Sequence, residues 1–319
     1  MKKAIKGWFM NARRLQDICR RFFHGKIGKR RRRENKNSDQ ENGQQFSASR
    51  GNCCPSILEK EDAMKEKTMV KLPAAGRDIS SITEAELADV IRDFDVIKGN
   101  IKVYLANKEA IWENHQDCPK KEVEGTDLLA VFRIMLFVKD VGQSSILVRN
   151  RTMAMWDIEL ESLYETALKN TMEQTPARVI SLDDMIDYGP EKSKRPEEVS
   201  YENGKTYILG NSGTVGGAAA MLYPGVLQTI AENSSSNLFI VPSSINEVLV
   251  ISDDGKADSQ SLQYMLMEAN MGMVPRKEVL SDQVYYYDRE ERRISTATTP
   301  EGTREQQLAM DAICQISYP

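Results

Sequence analysis

The chain contains 319 residues, of which 40% are hydrophobic and 28% charged, as is ordinary for a globular protein of one large or two small domains. No run of eighteen apolar residues occurs, which excludes a membrane-spanning helix, and no apolar segment follows the basic start as a secretory signal requires. The five cysteines have no paired spacing, which indicates reduced thiols and not a disulfide framework. We therefore expect a cytoplasmic protein, with peripheral attachment to a membrane left open.

The net charge of −4 conceals two oppositely charged parts. Residues 1–36 contain 14 lysines and arginines against 2 acidic residues, whereas the rest of the chain contains 29 against 45. A strongly basic head therefore precedes an acidic body. The overall composition is an average over two unlike parts.

The basic leader, residues 1–33, begins with a predicted amphipathic helix over residues 1–23. At about 100° per residue, its aromatic and aliphatic side chains fall on one half of the helical wheel and its basic side chains on the other. An arginine-rich run over residues 29–33 follows. The residues predicted to contact an anionic surface are Lys2, Lys3, Lys6, Trp8, Phe9, Arg13, Arg14, Arg20, Arg21, Arg30, Arg31, Arg32 and Arg33.

Four roles for this leader remain open. Trp8 and Phe9 opposite a basic face suit the interface of an anionic membrane, where each basic side chain adds about 1 kcal/mol. The arginine run also suits nucleic acid, because basic side chains that neutralise phosphates release counterions. Two further alternatives are docking on the acidic body or on a partner protein, and a start-site artefact without function.

Residues 34–77 are predicted to form a polar, disordered linker, because Asn, Gln, Ser and Gly dominate its first half. The folded part is expected to begin near residue 78. There Thr83 and Glu86 have the spacing of a capping box, which predicts a helix over residues 83–96.

The first subregion, residues 78–187, continues with two apolar runs around a Gly-containing turn, which predict a β-hairpin. A helix with apolar residues at three- and four-residue steps follows the hairpin. The predicted elements are strands at 128–138 and 144–148, the helix at 158–172 and a short strand at 178–182.

The second subregion, residues 205–295, repeats this pattern after an exposed connection over residues 188–204. The predicted strands are 206–209, 217–222, 238–241, 247–251 and a strand through 285–287, and the predicted helices are 224–232 and 258–270. A loosely held tail, residues 296–319, ends the chain. Antiparallel hairpins interleaved with helices packed on one face predict an α+β fold.

Three motif-like segments do not fit the chemistry that they suggest. Gly204-Lys205-Thr206 lacks the first glycine of a phosphate-binding loop, because position 199 is Val. The glycines between 210 and 217 do not have the dinucleotide-binding spacing, and we expect a tight hairpin there. His115 and Cys118 lack the second ligand pair of a closed zinc site. We therefore predict no catalytic residue, no cofactor and no metal.

Five polar residues are predicted to border a cleft because they lie in loops or at a strand end, where binding groups usually sit. They are Tyr223, Ser243, Ser244, Asn246 and Tyr286. If they met in a pocket beside a desolvated carboxylate, they would provide the groups for a reaction such as hydrolysis. The alternative is that these hydroxyls satisfy the backbone of their own loops.

Six ordered sequence blocks cover most of the region between residues 80 and 295. They are LAVFRIML (129–136), SILVRNRTMAMWDI (145–158), LYETALKNT (163–171), GAAAMLYPGVLQTIAE (217–232), FIVPSSINEVLVI (239–251) and LSDQVYYYD (280–288). In these blocks the chain resembles a bacterial domain-of-unknown-function family, family 5688, which is common in gut Clostridia. The resemblance implies a bacterial, cytosolic α+β protein that is often encoded near mobile elements. It implies no activity, cofactor or catalytic residue.

The sequence favours a non-catalytic interaction or regulatory module, an acidic α+β domain whose basic leader contacts an anionic surface and which can have a protein partner. One alternative is a nucleic-acid-associated protein of a mobile element. The other is an enzyme that uses a cleft near Ser243, Ser244 and Tyr286.

Overall fold

The computed structural model describes residues 70–71, 84–108, 117–138, 142–213 and 215–297. The predicted leader, most of the predicted linker, both histidines and the chain beyond residue 297 lie outside these ranges. Within the described ranges, no helix has the length and apolar character needed to cross a membrane.

The described strands form two antiparallel sheets, which confirms the α+β prediction. The first sheet contains β1 (Val70–Lys71), β2 (Ile101–Asn107), β3 (Lys120–Glu122), β4 (Leu128–Val138) and β5 (Gly142–Leu147). The second contains β6 (Ala177–Ser181), β7 (Thr206–Asn211), β8 (Leu238–Val241), β9 (Val248–Ser252), β10 (Tyr285–Asp288) and β11 (Arg293–Thr296).

Helices fill the connections between these strands. The α-helices are α1 (Glu84–Arg92), α2 (Phe94–Ile97), α3 (Asn150–Trp156), α4 (Leu160–Gln174), α5 (Leu182–Tyr188), α6 (Val226–Asn233) and α7 (Ser259–Gly272). Short 3-10 helices cover Lys98–Asn100, Pro190–Lys192, Pro196–Glu198, Gly217–Leu222 and Arg276–Glu278. Side chains begin several of these elements, because Asp93, Ser181 and Asp258 accept hydrogen bonds from the first turns of α2, α5 and α7.

The long apolar strand β4 is the centre of the first sheet. It pairs with β2, β3 and β5, and the β4–β5 pairing confirms the predicted hairpin. One face of the sheet is fully buried at Ile101, Phe132 and Ile134, and it packs against Leu163 and Ala167 of α4. The alternation of the strand therefore directs one set of side chains into the core and the other set towards the opposite face.

The second sheet has the strand order β11-β10-β8-β9-β7-β6 and is buried on both faces. One face, with Ile240 and Val250, shares a core with Leu128 of the first sheet. The other face, with Phe239 and Leu249, packs against α5 and against Leu262 and Leu266 of α7. Burial on both faces explains why β8 and β9 are continuous apolar runs in the sequence.

Several boundaries differ from the sequence-based expectations. The strand β6, which lies in the predicted first subregion, pairs with β7 in the second sheet. The predicted exposed connection contains two 3-10 helices, and Lys194 within it forms an isolated bridge with Val179. Within the predicted linker, Val70–Lys71 pairs with the end of β4.

Candidate functional site

The glycine-rich loop, residues 210–217, leaves β7 and leads into the 3-10 helix Gly217–Leu222. The predictions of a tight hairpin here and of a strand at 217–222 are wrong. Gly216 has a left-handed backbone, with φ of +78°, and Ala218 to Ala220 are completely buried. The chain therefore turns inward as a short helix, in keeping with the low preference of alanine for strands.

Two glycines of this loop are in close contact with other parts of the protein. A Cβ on Gly216 would lie 2.3 Å from Cε1 of Tyr104, and a Cβ on Gly217 would lie 2.1 Å from the carbonyl oxygen of Asn246. Both distances are far shorter than van der Waals contact. The glycines thus let the loop pack directly against β2 and against the connection between β8 and β9.

That connection, residues 242–247, is called the serine loop below. The backbone N–H of Gly216 donates a hydrogen bond to Oδ1 of Asn246 at 3.1 Å, and the N–H of Ala218 donates to the carbonyl of Ile245 at 3.3 Å. The N–H of Ile245 in turn donates to the carbonyl of Glu278 at 2.9 Å. The serine loop therefore positions the glycine-rich loop.

The two serine hydroxyls donate their hydrogen bonds within the serine loop. Oγ of Ser244 donates to Oε1 of Glu247 at 2.8 Å, and Oγ of Ser243 donates to the carbonyl oxygen of Glu247 at 3.0 Å. Burial raises the pKa of Glu247, while its bonds to the two serines act in the opposite direction and the nearby charge of Glu278 adds to the rise. The structure thus has the desolvated carboxylate that the sequence-based cleft hypothesis required beside these serines.

The hydroxyl of Tyr223 lies beneath the glycine-rich loop. It donates to the carbonyl of Thr175 at 2.9 Å and accepts from Nδ2 of Asn211 at 3.1 Å. Burial raises the pKa of Tyr223, so the phenol stays protonated at neutral pH. This side chain joins the end of α4 to the end of β7.

Tyr286 lies elsewhere in the molecule. Its hydroxyl donates to Oδ2 of Asp253 at 2.8 Å and accepts from Nδ2 of Asn237 at 3.0 Å, and its ring packs on Phe239 at a centroid distance of 5.1 Å. Asn237 and Asp253 line an open, polar cavity of about 420 Å³. In the β8–β10 register Tyr286 is opposite Phe239, four residues before Ser243. Tyr223 and the serine loop, which contains Ser243, Ser244 and Asn246, therefore contact the glycine-rich loop, and Tyr286 does not.

Three residues of the first sheet that face this loop were missed by the sequence analysis. Lys102 and Arg133 are directly opposite each other in the β2–β4 register, on the face away from the Phe132 core. Tyr104, two residues further along β2, packs its ring on Gly216. The available signal was that Lys102 and Arg133 are each the lone charge in an apolar strand.

A narrow cavity of about 10 Å³ lies between β2 and the glycine-rich loop, enough for about one water-sized group. Its walls are formed by Lys102, Val103, Tyr104, Gln143, Thr171, Thr175, Asn211, Gly213, Val215 and Gly216. Lys102 is only 8% exposed, and no carboxylate of the described residues forms an ion pair with it. Burial lowers the pKa of Lys102.

Arg133 lies on β4, across from the cavity-lining Lys102. Its Nε donates to Oγ of Ser145 at 2.8 Å, and its guanidinium carbon lies 6.0 Å from the centroid of the Tyr104 ring. Burial lowers the pKa of Arg133, Tyr104 counteracts this, and the positive charge of Arg149 lowers it further. Positive charge is thus concentrated on this face of the first sheet.

The remaining candidate groups are metal ligands, the thiol of Cys118, the two histidines and the residues of the leader. Within the described ranges, no three His, Cys, Asp or Glu side chains are arranged to hold a metal ion. Cys118 is buried, which raises the pKa of its thiol. His24, His115 and all the leader residues predicted to contact an anionic surface lie outside the described residues.

Comparison with known proteins identifies one family that the chain matches. No curated protein and no solved structure matches it. Residues 32–289 match the model of a family described as "Family of unknown function (DUF5688)". The match begins within the arginine run and covers both sheets apart from β11. The chain therefore belongs to the DUF5688 family, as the six sequence blocks indicated.

Proposed function

We propose that this chain is a non-catalytic interaction module in which the basic leader, residues 1–33, attaches the acidic α+β domain to an anionic membrane surface. The division of charge carries the proposal: 14 basic residues against 2 acidic ones up to residue 36, and 29 against 45 thereafter. Basic side chains near an anionic bilayer contribute about 1 kcal/mol each, and an aromatic face on the same helix adds apolar burial.

The geometry of the folded domain favours interaction over catalysis. The hydroxyls of Ser243, Ser244 and Tyr223 all donate to neighbouring protein groups, and these bonds fasten the glycine-rich loop and the serine loop. Tyr286, the third member of the proposed enzymatic cleft, bonds to Asp253 in another part of the fold. These contacts support the alternative in which the polar groups stabilise their own loops.

Vesicle co-sedimentation of the full chain tests the membrane proposal. The wild type is expected to pellet with phosphatidylserine-containing vesicles and not with neutral ones. Replacement of Arg30, Arg31, Arg32 and Arg33 by Ala removes about 4 kcal/mol of attraction, roughly a thousandfold in affinity. A matched control replaces four exposed basic residues of the domain by Ala, namely Lys169, Lys192, Lys194 and Arg293, and should pellet like the wild type.

A double substitution, Trp8→Ala with Phe9→Ala, separates apolar insertion from charge. It should weaken affinity by a similar factor at low and high salt, whereas the loss in the arginine variant should shrink as salt rises, because salt screens the basic residues and leaves the apolar contribution. Equal pelleting of wild type and both leader variants with anionic vesicles would rule out the membrane role.

Nucleic-acid binding is the second function that a specific observation favours, namely the five consecutive basic residues from Lys29 to Arg33. It predicts a mobility shift with duplex DNA whose affinity falls steeply with salt, because each neutralised phosphate releases counterions. The Arg30–Arg33→Ala variant should reduce the salt slope by about 3–4. An affinity that does not change with salt excludes this function.

A further inference from the structure

We propose that the cavity between β2 and the glycine-rich loop is a binding site for an oxyanionic group, best a phosphate, which pairs with the ammonium group of Lys102. Nothing in this inference depends on the leader, because every residue of the site belongs to the folded domain. Lys102 is the anchor, Tyr104 and the glycine-rich loop form walls of the cavity, and Arg133 adds positive potential from the neighbouring strand.

A nearly buried lysine side chain lines the cavity. Lys102 is 92% buried, lines the cavity, and has no ion pair with any described carboxylate. Burial of most of this side chain disfavours its charged form, which an anion beside the ammonium would stabilise. Lys102 lies in an otherwise apolar strand. An anion that enters the cavity balances the charge of its ammonium group.

The other polar groups of the cavity wall already have protein partners. Oγ1 of Thr171 accepts from the N–H of Val103 at 2.9 Å and donates to the carbonyl of Ala167 at 2.6 Å. Oγ1 of Thr175 donates to the carbonyl of Thr171 at 2.6 Å. Asn211 bonds to Tyr223 and to the N–H of Gly213. Among the described residues of the cavity wall, the ammonium group of Lys102 is therefore the charged donor available to a ligand.

The charges around the cavity favour a negatively charged ligand. Its wall contains no acidic residue. Arg133 lies directly across from Lys102 on β4, and Arg149 is near enough to lower the pKa of Arg133. A phosphate with up to two negative charges is attracted to this basic face more strongly than a singly charged carboxylate is, and lysine is a usual phosphate partner.

The dimensions of the cavity define how the ligand enters. A volume of about 10 Å³ admits one water-sized group, so one phosphate oxygen reaches Lys102 and the rest of the ligand stays outside. Val215, which also lines the cavity, is 53% exposed. Tyr104 packed on Gly216 keeps the wall in place.

Thermal unfolding of the full chain with inorganic phosphate tests this site. Phosphate replaces chloride at constant ionic strength, and the wild-type Tm is expected to rise by about 3–5 °C for each tenfold excess over the Kd. Lys102→Met should abolish this rise while leaving the phosphate-free protein at least as stable, because an unpaired buried charge is removed. Lys169→Met, at an exposed position of α4, is the matched control and should keep the full rise.

Three outcomes would overturn the proposal. One is an equal phosphate-dependent rise in the wild type and in Lys102→Met, which would indicate a general salt effect. Another is an equal rise when acetate replaces chloride, which would remove the preference for phosphate. The third is the absence of any rise in the wild type, a result that decides the question even if Lys102→Met does not fold. Arg133→Gln should retain only part of the rise, and an unchanged rise would exclude Arg133 from the site.

Discussion

The neighbours of the Glu247 carboxyl group determine its protonation state. The serine loop surrounds it, with hydrogen bonds from Ser243 and Ser244, and the acidic Glu278 lies nearby. Burial raises its pKa, so the folded protein binds a proton at a higher pH than the unfolded chain does. Ionisation of Glu247 therefore opposes folding.

The expected consequence is a stability that falls as pH rises above the ordinary glutamate pKa of 4.5, through the raised pKa of the folded state. Glu247→Gln removes this ionisation and keeps an oxygen that accepts from Ser244. At neutral pH the variant should have a higher free energy of unfolding than the wild type, and this excess should vanish as the pH falls below 4.5. Urea unfolding at several pH values between 4 and 8 measures the difference.

The matched control for this prediction is Glu191→Gln, at an exposed position whose carboxylate remains in water. Its stability should follow that of the wild type at every pH. If the free energy of unfolding has the same pH dependence in Glu247→Gln and in the wild type, ionisation of Glu247 does not destabilise the folded protein.

Among the secondary-structure elements, α4 shows how a helix closes the edge of a sheet. The free edge of β2 would expose backbone groups, and three side chains of α4 bond to this edge and to the turn before it. Oγ1 of Thr171 accepts from the N–H of Val103, Nδ2 of Asn170 donates to the carbonyl of Ile101, and Nε2 of Gln174 donates to the carbonyl of Gly99. The helix therefore replaces a neighbouring strand.

Thr171→Val is expected to destabilise the protein by about 1–3 kcal/mol. The substitution keeps the shape of the side chain but removes the acceptor for the buried N–H of Val103, which is then left without a partner. Chemical unfolding measures the change. The same substitution at Thr166, which is partly buried on the same helix, should cost less than 1 kcal/mol. Equal effects at the two positions would show that Thr171 contributes only by packing.

In the whole molecule, the two sheets are joined by one carboxylate as well as by a shared core. Asp127, in the turn before β4, accepts hydrogen bonds from Oγ of Ser281 at 2.8 Å and from the hydroxyl of Tyr285 in the second sheet. Nδ2 of Asn107 in β2 also donates to it, at 2.6 Å. Burial and the charge of Asp127 raise the pKa of Tyr285, so the phenol remains a donor.

Asp127→Ala is expected to lower the free energy of unfolding by about 3 kcal/mol, because Ser281 and Tyr285 lose a charged acceptor in a partly buried place. The measurement is urea unfolding followed by both fluorescence and circular dichroism. Asp187→Ala, an exposed aspartate of α5, is the control and should change stability by less than about 0.5 kcal/mol. A loss no larger than that of the control would show that the core alone joins the sheets.

Most described elements of the fold follow from local patterns. The apolar run of β4, the alternating hydrophobic steps of α4 and the position of Asp258 before α7 are visible within ten or fifteen residues, and each produced its predicted element. The strands β2, β3 and β11 and the helices α3 and α5 were not predicted. The segment Gly217–Leu222 was predicted as a strand, which its apolar composition suits, whereas burial of its alanines produces a 3-10 helix. Its small side chains leave too little local information to decide between the two.

The amino-acid sequence by itself determined the charge division, the α+β class, the family and the loops in which Tyr223, Ser243, Ser244 and Asn246 lie. Only the tertiary structure decided that Tyr223 and the serine loop contact the glycine-rich loop while Tyr286 does not, that Asp127 reaches Tyr285, and that Lys102 lines a cavity. The physical reason is distance along the chain. Periodicity and turn chemistry act over a few residues, whereas these contacts join residues tens to more than a hundred positions apart through strand register and packing of the two sheets.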